Sequence, residues 1–120
     1  MRVIIAGSRT IKDYRTVLNA IEKAQRAGFQ ITEEVSGAAT GVDKLGEQWA
    51  RNNDIPIKSF PADWDNYGRK AGFMRNVQMV KYADAAILIW DGESKGTLHT
   101  LNEIKKAQKP YYIELARGDV

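Results

Sequence analysis

The sequence predicts a doubly wound α/β fold, with a five-stranded parallel sheet between two layers of helices. Three observations predict it. Two short, unbroken apolar runs, Val3-Ile4-Ile5-Ala6 and Ala85-Ala86-Ile87-Leu88-Ile89-Trp90, read as strands covered on both faces. Strand and helix patterns alternate to the end of the chain, as parallel strands joined by crossover helices require. Glycine-and-hydroxyl turns recur where a strand pattern gives way to a helical one, within Ala6–Thr10, Ser36–Asp43 and Ser94–Thr97.

Each element follows in order. After the first strand, Tyr14, Val17, Leu18 and Ile21 fall at helical spacing, with Asp13 as N-cap and Gly28 as stop. Residues 31–36 form the second strand, interrupted by Glu33 and Glu34, which suits a late start or a place nearer the sheet edge. Thr40-Gly41-Val42-Asp43 has the form of a capping box with Asp in place of Glu, and Val42, Leu45 and Trp49 give the next helix its apolar face. Residues 55–60 read as the third strand, with Pro56 at its start, where a missing N–H is tolerated. A loop follows over 61–68. Phe73, Val77 and Val80 mark the third helix, and Leu98, Leu101 and Ile104 the fourth. Tyr111–Leu115 is the last strand, and residues 117–120 read as a frayed tail.

Right-handed crossovers and short connections favour the strand order 3-2-1-4-5. In such sheets ligands sit beyond the carboxyl ends of the strands, where the order reverses, here between the first and fourth strands. All three glycine-and-hydroxyl segments reach that edge. Helix N-termini there offer unpaired N–H groups and partial positive charge, and glycine permits close approach of a phosphate. On this reading Gly7, Ser8, Gly37, Thr40, Gly41, Gly96 and Thr97 cradle phosphate and ribose, and Arg9, Arg75 and Lys95 supply positive charge. Trp64 contacts a base, and Asp43, Asn76 and Ser94 complete the candidate ligand contacts. Phe73 and Val77 facing the core would leave Arg75 and Asn76 on the flanks of their helix, and His99 on a helix surface.

Composition narrows the chemistry. At 120 residues the chain reads as one domain, large enough for a core without staples. It has no cysteine and a single histidine, which excludes disulfides and thiolate metal sites and argues against a histidine zinc site. No run approaches the length of a membrane span, so the expectation is a cytoplasmic protein without membrane contact. A net charge of +3 suits an anionic ligand but is no footprint for nucleic acid. Sheets of this type often pair through their helices, so a homo-oligomer is compatible with the pattern.

Two familiar nucleotide motifs are missing. No G-x-G-x-x-G follows the first strand, and Gly37 to Asp43 lacks the spacing and the Lys-Ser/Thr of a Walker A loop. The sequence therefore points to no dinucleotide cofactor, and an ATPase or kinase is disfavoured.

Taken together, Ile5-Ala6-Gly7-Ser8-Arg9, Gly37 through Asp43, Pro61-Ala62-Asp63-Trp64, Tyr67-Gly68, Ala71-Gly72, Arg75-Asn76, Met79, Ala83-Asp84 and Trp90 through Thr97 resemble the YspA/YpsA-related branch of the SLOG superfamily. The resemblance implies a Rossmann-like three-layer sandwich that binds nucleotides or nucleotide-derived signals such as ADP-ribose-like molecules. A related branch, the LOG phosphoribohydrolases, is similar in layout and cleaves the N-glycosidic bond of nucleoside monophosphates. Its strand-four loop reads Gly-Gly-x-Gly-Thr-x-x-Glu, with the glutamate catalytic and an arginine on the preceding helix assisting. Arg75 matches that arginine, but Thr100 stands where the glutamate would be, and Glu103 lies a turn further on.

Three functions follow from these readings. The first is recognition of a nucleotide-derived ligand by a sensor or binding domain. The second is an N-glycosidic hydrolase, in which a carboxylate supports oxocarbenium character or activates water. Asp43, Asp63 and Asp91 are its candidates, with Asp63 the best placed and Arg75 assisting. The third, single-stranded nucleic-acid binding, needs a basic stripe, whereas Lys and Arg here are scattered among acids.

Overall fold

The computed structural model describes residues 1–118. Its elements run β1 (Arg2–Gly7), α1 (Tyr14–Arg26), β2 (Glu33–Ser36), α2 (Val42–Asn52), β3 (Ile57–Ser59), α3 (Trp64–Tyr67), a 3₁₀ turn (Gly68–Lys70), α4 (Ala71–Tyr82), β4 (Ala85–Trp90), α5 (Lys95–Lys106) and β5 (Tyr111–Leu115). All strand pairs are parallel, in the order β3-β2-β1-β4-β5. This is the predicted Rossmann-like arrangement. Ile4 is aligned with Val35 on one side and Ala86 on the other, which fixes the central register.

The pleat explains why the two central strands read as unbroken apolar runs. Val3 and Ile5 of β1 join Ala85, Ile87 and Ile89 of β4 in a core under α1 and α2. Ile4 and Ala6 join Ala86 and Leu88 in a second core under α4 and α5. Alternate side chains thus enter opposite layers, and every position is apolar because both faces are covered. Burying one such Ile or Leu contributes about 1.5–3 kcal/mol.

α1 forms as its sequence indicates. The Asp13 side chain accepts from Arg15 N at 2.9 Å, Val17, Ala20, Ile21 and Ala24 are buried, and Gly28 follows at φ 110°. Elsewhere the structure departs from the sequence reading. β2 is shorter than residues 31–36, starting late at Glu33, and lies one strand in from the sheet edge, next to β3. β3 is confined to Ile57–Ser59, and the 61–68 loop contains the short helix α3, capped by Asp63. Thr40 is exposed and caps nothing; α2 starts from Gly41, with no side-chain cap. Of the tail, residues 119 and 120 lie outside the described residues.

The largest corrections concern α4 and α5. Phe73 and Leu98, expected in the core, are 45% and 41% exposed. The buried face of α4 is instead Ala71, Arg75, Asn76, Met79 and Val80, and that of α5 is Thr97, Thr100, Leu101 and Ile104. The first turns of both helices border a cleft beyond the sheet edge, so their inward side is polar. Among the described residues no helix is long and apolar enough to cross a membrane.

Candidate functional site

β1, β2 and β4 end at one edge of the sheet, and the turns that follow them build a cleft of about 440 Å³. That volume falls within the roughly 300–1,000 Å³ typical of small-molecule sites. β1 contributes Gly7, Arg9 and Thr10, the β2–α2 turn contributes Ala39 and Asp43, and α3 with the 3₁₀ turn contributes Trp64 and Arg69. α4 supplies Gly72, Phe73, Arg75 and Asn76. The β4–α5 turn and the start of α5 supply Asp91, Glu93, Ser94, Gly96, Thr97 and Thr100.

The β4–α5 turn is held by the Asp91 carboxylate. Oδ1 accepts from Glu93 N and Ser94 N, both at 2.9 Å, and Oδ2 accepts from Thr10 Oγ1 at 3.0 Å. The two backbone N–H groups, with smaller help from Ser8 and Thr10, pull its pKa down to about 2. Asp91 N donates to Ser8 Oγ at 2.9 Å, so the ends of β1 and β4 are tied together at the crossover point. Ser94 then caps α5, its Oγ accepting from Thr97 N at 3.3 Å and from Thr97 Oγ1 at 3.0 Å. Ser94 thereby occupies one N–H of the α5 N-terminus, while Gly96 lines the cleft and would meet nothing within 4 Å if it carried a Cβ.

The Gly37–Asp43 segment behaves differently from an anion cradle. Asp43 itself sits in the first turn of α2 and accepts from Ala39 N at 3.2 Å, so a carboxylate already occupies this helix start. Asp43 is 5% exposed. Burial raises its pKa to about 6, opposed by the Ala39 N–H and by the Arg75 guanidinium. Arg75 comes in from α4 and donates Nη1–H to Gly37 O. A Cβ on Gly37 would stand 2.7 Å from Arg75 Nη1 and 2.8 Å from Asp43 Oδ2, so a side chain there would have to displace the guanidinium or the carboxylate. Burial lowers the Arg75 pKa, and Asp43 opposes the shift. Arg75 Nε donates to Asn76 Oδ1 at 2.9 Å, which fixes the guanidinium plane from its other side.

Of the candidate contacts from sequence, Gly7, Arg9, Asp43, Trp64, Arg75, Asn76, Ser94, Gly96 and Thr97 line the cleft. Gly37 lies directly behind it, under Arg75 and Asp43. Gly7 is demanded by strand packing, since a Cβ there would overlap Ile89 O of β4. Gly41, at φ 75°, lets the β2–α2 turn pass the β1 end, where a Cβ would come within 2.6 Å of Arg9 Cα and Ser8 O. Ser8 is fully buried and serves as a tie between strands rather than as a ligand donor. Thr40 and Lys95 are exposed outside the lining. Asp63 also lies outside it, and its carboxylate caps α3 by accepting from Asn66 N at 3.3 Å and Asn66 Nδ2 at 2.8 Å.

Sequence reasoning missed Thr10, Arg69, Phe73, Glu93 and Thr100 as lining residues. Phe73 was assigned to the core because it completes an apolar i, i+4, i+7 set. Arg69 follows Gly68 in a segment read as loop, and only the 3₁₀ turn brings it to the cleft. His99, expected at a helix surface, is half-buried against Phe73, with ring centroids 4.6 Å apart, and beside Asn76. Among the described residues no group of three or more His, Asp or Glu is placed to hold a metal ion.

Residues 1–67, from β1 through the β2–α2 turn to the end of α3, match the YspA, cpYpsA-related SLOG family. The chain belongs to that family. One relative is similar over nearly the full length of both chains. The Gene 61 protein of Mycobacterium phage D29 is 35% identical over 116 residues, covering 91% of this chain and 92% of that protein. Shorter matches fall on small ribosomal subunit protein uS3. That of Trichormus variabilis is 36% identical over 58 residues, 48% of this chain and 22% of that protein. That of Thermosynechococcus vestitus is 32% identical over 74 residues, 61% of this chain and 31% of that protein. No solved structure matches. In this SLOG chain the family match ends with α3, and Arg75, Asn76 and the α5 start lie beyond the matched residues.

Proposed function

We propose that this SLOG domain binds a nucleotide-derived ligand, a nucleoside phosphate or an ADP-ribose-like molecule, in the cleft at the sheet's carboxyl edge. One observation carries the reading. Arg9 and Arg69 both line the cleft, and neither forms an ion pair among the described residues. Cationic heads in a concave site with no carboxylate partner suit an anionic ligand, and guanidinium matches phosphate geometry. The α5 N-terminus at Gly96 favours negative charge in the same place. Trp64, 49% exposed with Arg9 Cζ 6.0 Å from its ring centroid, offers a stacking face for a base at the cleft mouth. Glu93 and Asp43 also line the cleft and suit the hydroxyls of a ribose better than a bare phosphate does.

A thermal-shift panel of AMP, ADP, ADP-ribose and NAD tests this. A ligand at 100 times its dissociation constant adds about 2.7 kcal/mol of stability. For a domain of this size that is a rise in Tm of roughly 10 °C. No shift with any member of the panel contradicts the reading, and a shift only with oligonucleotides at low salt would move it to nucleic-acid binding.

A second reading, an N-glycosidic hydrolase, has one specific observation in its favour. Asp43 is a buried carboxylate with a pKa near 6, lining the cleft close to Arg75. A carboxylate so poised exchanges protons efficiently near neutral pH. On this reading Asp43 takes the role first given to Asp63, with Arg75 still assisting. Release of free base from a nucleoside monophosphate, lost in Asp43→Asn and kept in Asp63→Asn, is the expected result. Ligand binding without base release in the unaltered protein leaves recognition as the function.

A further inference from the structure

From the wall of the cleft, a line of polar contacts runs from Arg75 on α4 to the outer side of α5. Arg75 Nε donates to Asn76 Oδ1 at 2.9 Å. Asn76 Nδ2 lies 3.3 Å from Gly96 O and 3.3 Å from His99 Nδ1. His99 Nε2 lies 3.6 Å from Glu103 Oε1. Arg75 and Asn76 are 9% and 4% exposed, so these groups have little water to replace a lost partner.

The chemistry of the partners fixes every proton in this line. Guanidinium only donates, so the Asn76 oxygen must face Arg75. The carboxamide nitrogen then faces Gly96 O, which only accepts, and the orientation is confirmed from a second side. The remaining N–H of Asn76 points at His99 Nδ1, so that nitrogen must be bare. This arrangement requires a neutral His99 with its proton on Nε2, toward Glu103.

We propose that His99 is a positioning residue, whose bare Nδ1 locks the Asn76 carboxamide and through it holds Arg75 in the cleft. Protonation of Nδ1 would set a donor against a donor. Asn76 cannot answer by flipping, because a flip would set its nitrogen against Arg75 Nε and its oxygen against Gly96 O. Relief comes from separation or from rotation of the imidazole, and either one removes the hold of His99 on the Asn76 carboxamide, so that Asn76 fixes the Arg75 guanidinium less firmly on its Nε side. The charged groups that face His99 are Glu103 and Lys106 on α5; α4 packs the uncharged Phe73 and Asn76 against it, with Arg75 beyond Asn76. Burial holds the His99 pKa below its ordinary value, opposed by Glu103 and assisted by Lys106, so the neutral form is the one the fold favours.

Because His99 is the chain's one histidine, nitrogen NMR of the free protein reads its tautomer without assignment. At pH 7.5 the spectrum should show a bare Nδ1 and a protonated Nε2. Protection of the Arg75 Nε–H, measured against free arginine at the same pH, is the second readout. It should fall about tenfold in His99→Leu and in the unaltered protein on protonation of His99. It should be kept in His99→Asn, whose Oδ1 replaces Nδ1 as acceptor and does not titrate. A proton on Nδ1 at pH 7.5, equal protection in all three proteins, or loss on acidification in His99→Asn would overturn the proposal; the last outcome would assign the effect to another group, such as Asp43. A third measurement rests on the binding reading above: ADP-ribose affinity should drop roughly tenfold in His99→Leu, about one hydrogen bond's worth, and stay within a few-fold in His99→Asn. If ADP-ribose binds none of them, the binding reading loses support while the two spectra still decide the role of His99.

Discussion

At the scale of single residues, the cleft is organised by where a side chain is forbidden. Gly37 leaves room for both Arg75 Nη1 and Asp43 Oδ2 beside the end of β2. Gly37→Ala should therefore displace one of these charges and destabilise the fold by about 1–3 kcal/mol, as a buried polar contact is lost. It should also abolish ligand binding; denaturant titration and a ligand thermal shift on the same variant check both. The sequence showed the glycine but assigned it to phosphate approach. Its actual neighbour, Arg75, is 38 residues away, a contact that no local pattern encodes. Ser8 shows the same limit. A hydroxyl after a strand reads as a ligand donor, yet here the opposite strand end takes it.

At the scale of elements, the helix starts separate into two kinds. α2 carries its own carboxylate at Asp43, whereas α5 is capped by the neutral Ser94 and presents Gly96 to the cleft. Gly96→Ala makes a sharp test of the α5 start, because the added methyl meets no protein atom within 4 Å. Helix propensity predicts unchanged or slightly higher stability, by up to about 1 kcal/mol. A ligand that approaches this backbone should nevertheless bind more weakly, so Tm and affinity should move in opposite directions. Equal affinity would place the anion elsewhere in the cleft. Ser94→Ala should cost about 1 kcal/mol through the lost cap, measurable by urea denaturation. The fold was legible at this scale because the apolar runs of β1 and β4 and the alternation of elements encode it directly. The inward faces of α4 and α5 were not, because apolar periodicity finds the face against a core. Here the first two turns face a cleft, and their buried polar residues are Arg75, Asn76, Thr97 and Thr100.

At the scale of the whole molecule, the sheet carries an acidic residue that the cleft does not use. Glu34 of β2 is fully buried, and neither carboxyl oxygen has a hydrogen-bond partner among the described residues. Burial, reinforced by Asp43 and Glu47, raises its pKa to about 9. In the unfolded chain a glutamate titrates near about 4.3, so the folded state holds the extra proton between these values. Stability should fall as pH rises across that window, by up to about 1.4 kcal/mol per pH unit. Asp43, raised to about 6, adds the same trend over the lower part of the window. Asp91, depressed to about 2, acts oppositely: its contribution is present above about 4 and is lost as pH falls toward 2. Glu34→Gln should flatten the alkaline decline and stabilise the protein more at pH 8 than at pH 5, as denaturation midpoints at the two values will show. A variant that loses stability equally at both would mean that Glu34 is ionised in the fold. The sequence flagged Glu33 and Glu34 as interruptions of a strand but not which of them points inward, since that depends on the register with β1, where Glu34 is aligned with Val3.

A nucleotide-derived ligand should bind at the carboxyl edge of the sheet. Backbone amide NMR during titration with ADP-ribose and AMP tests both binding and place. Saturable shifts are expected at Gly7, Arg9, Gly96 and Thr97, with the opposite edge of the sheet, around Arg2 and Asp84, unmoved. Shifts confined to that opposite edge, or none with either compound at millimolar concentration, would contradict it.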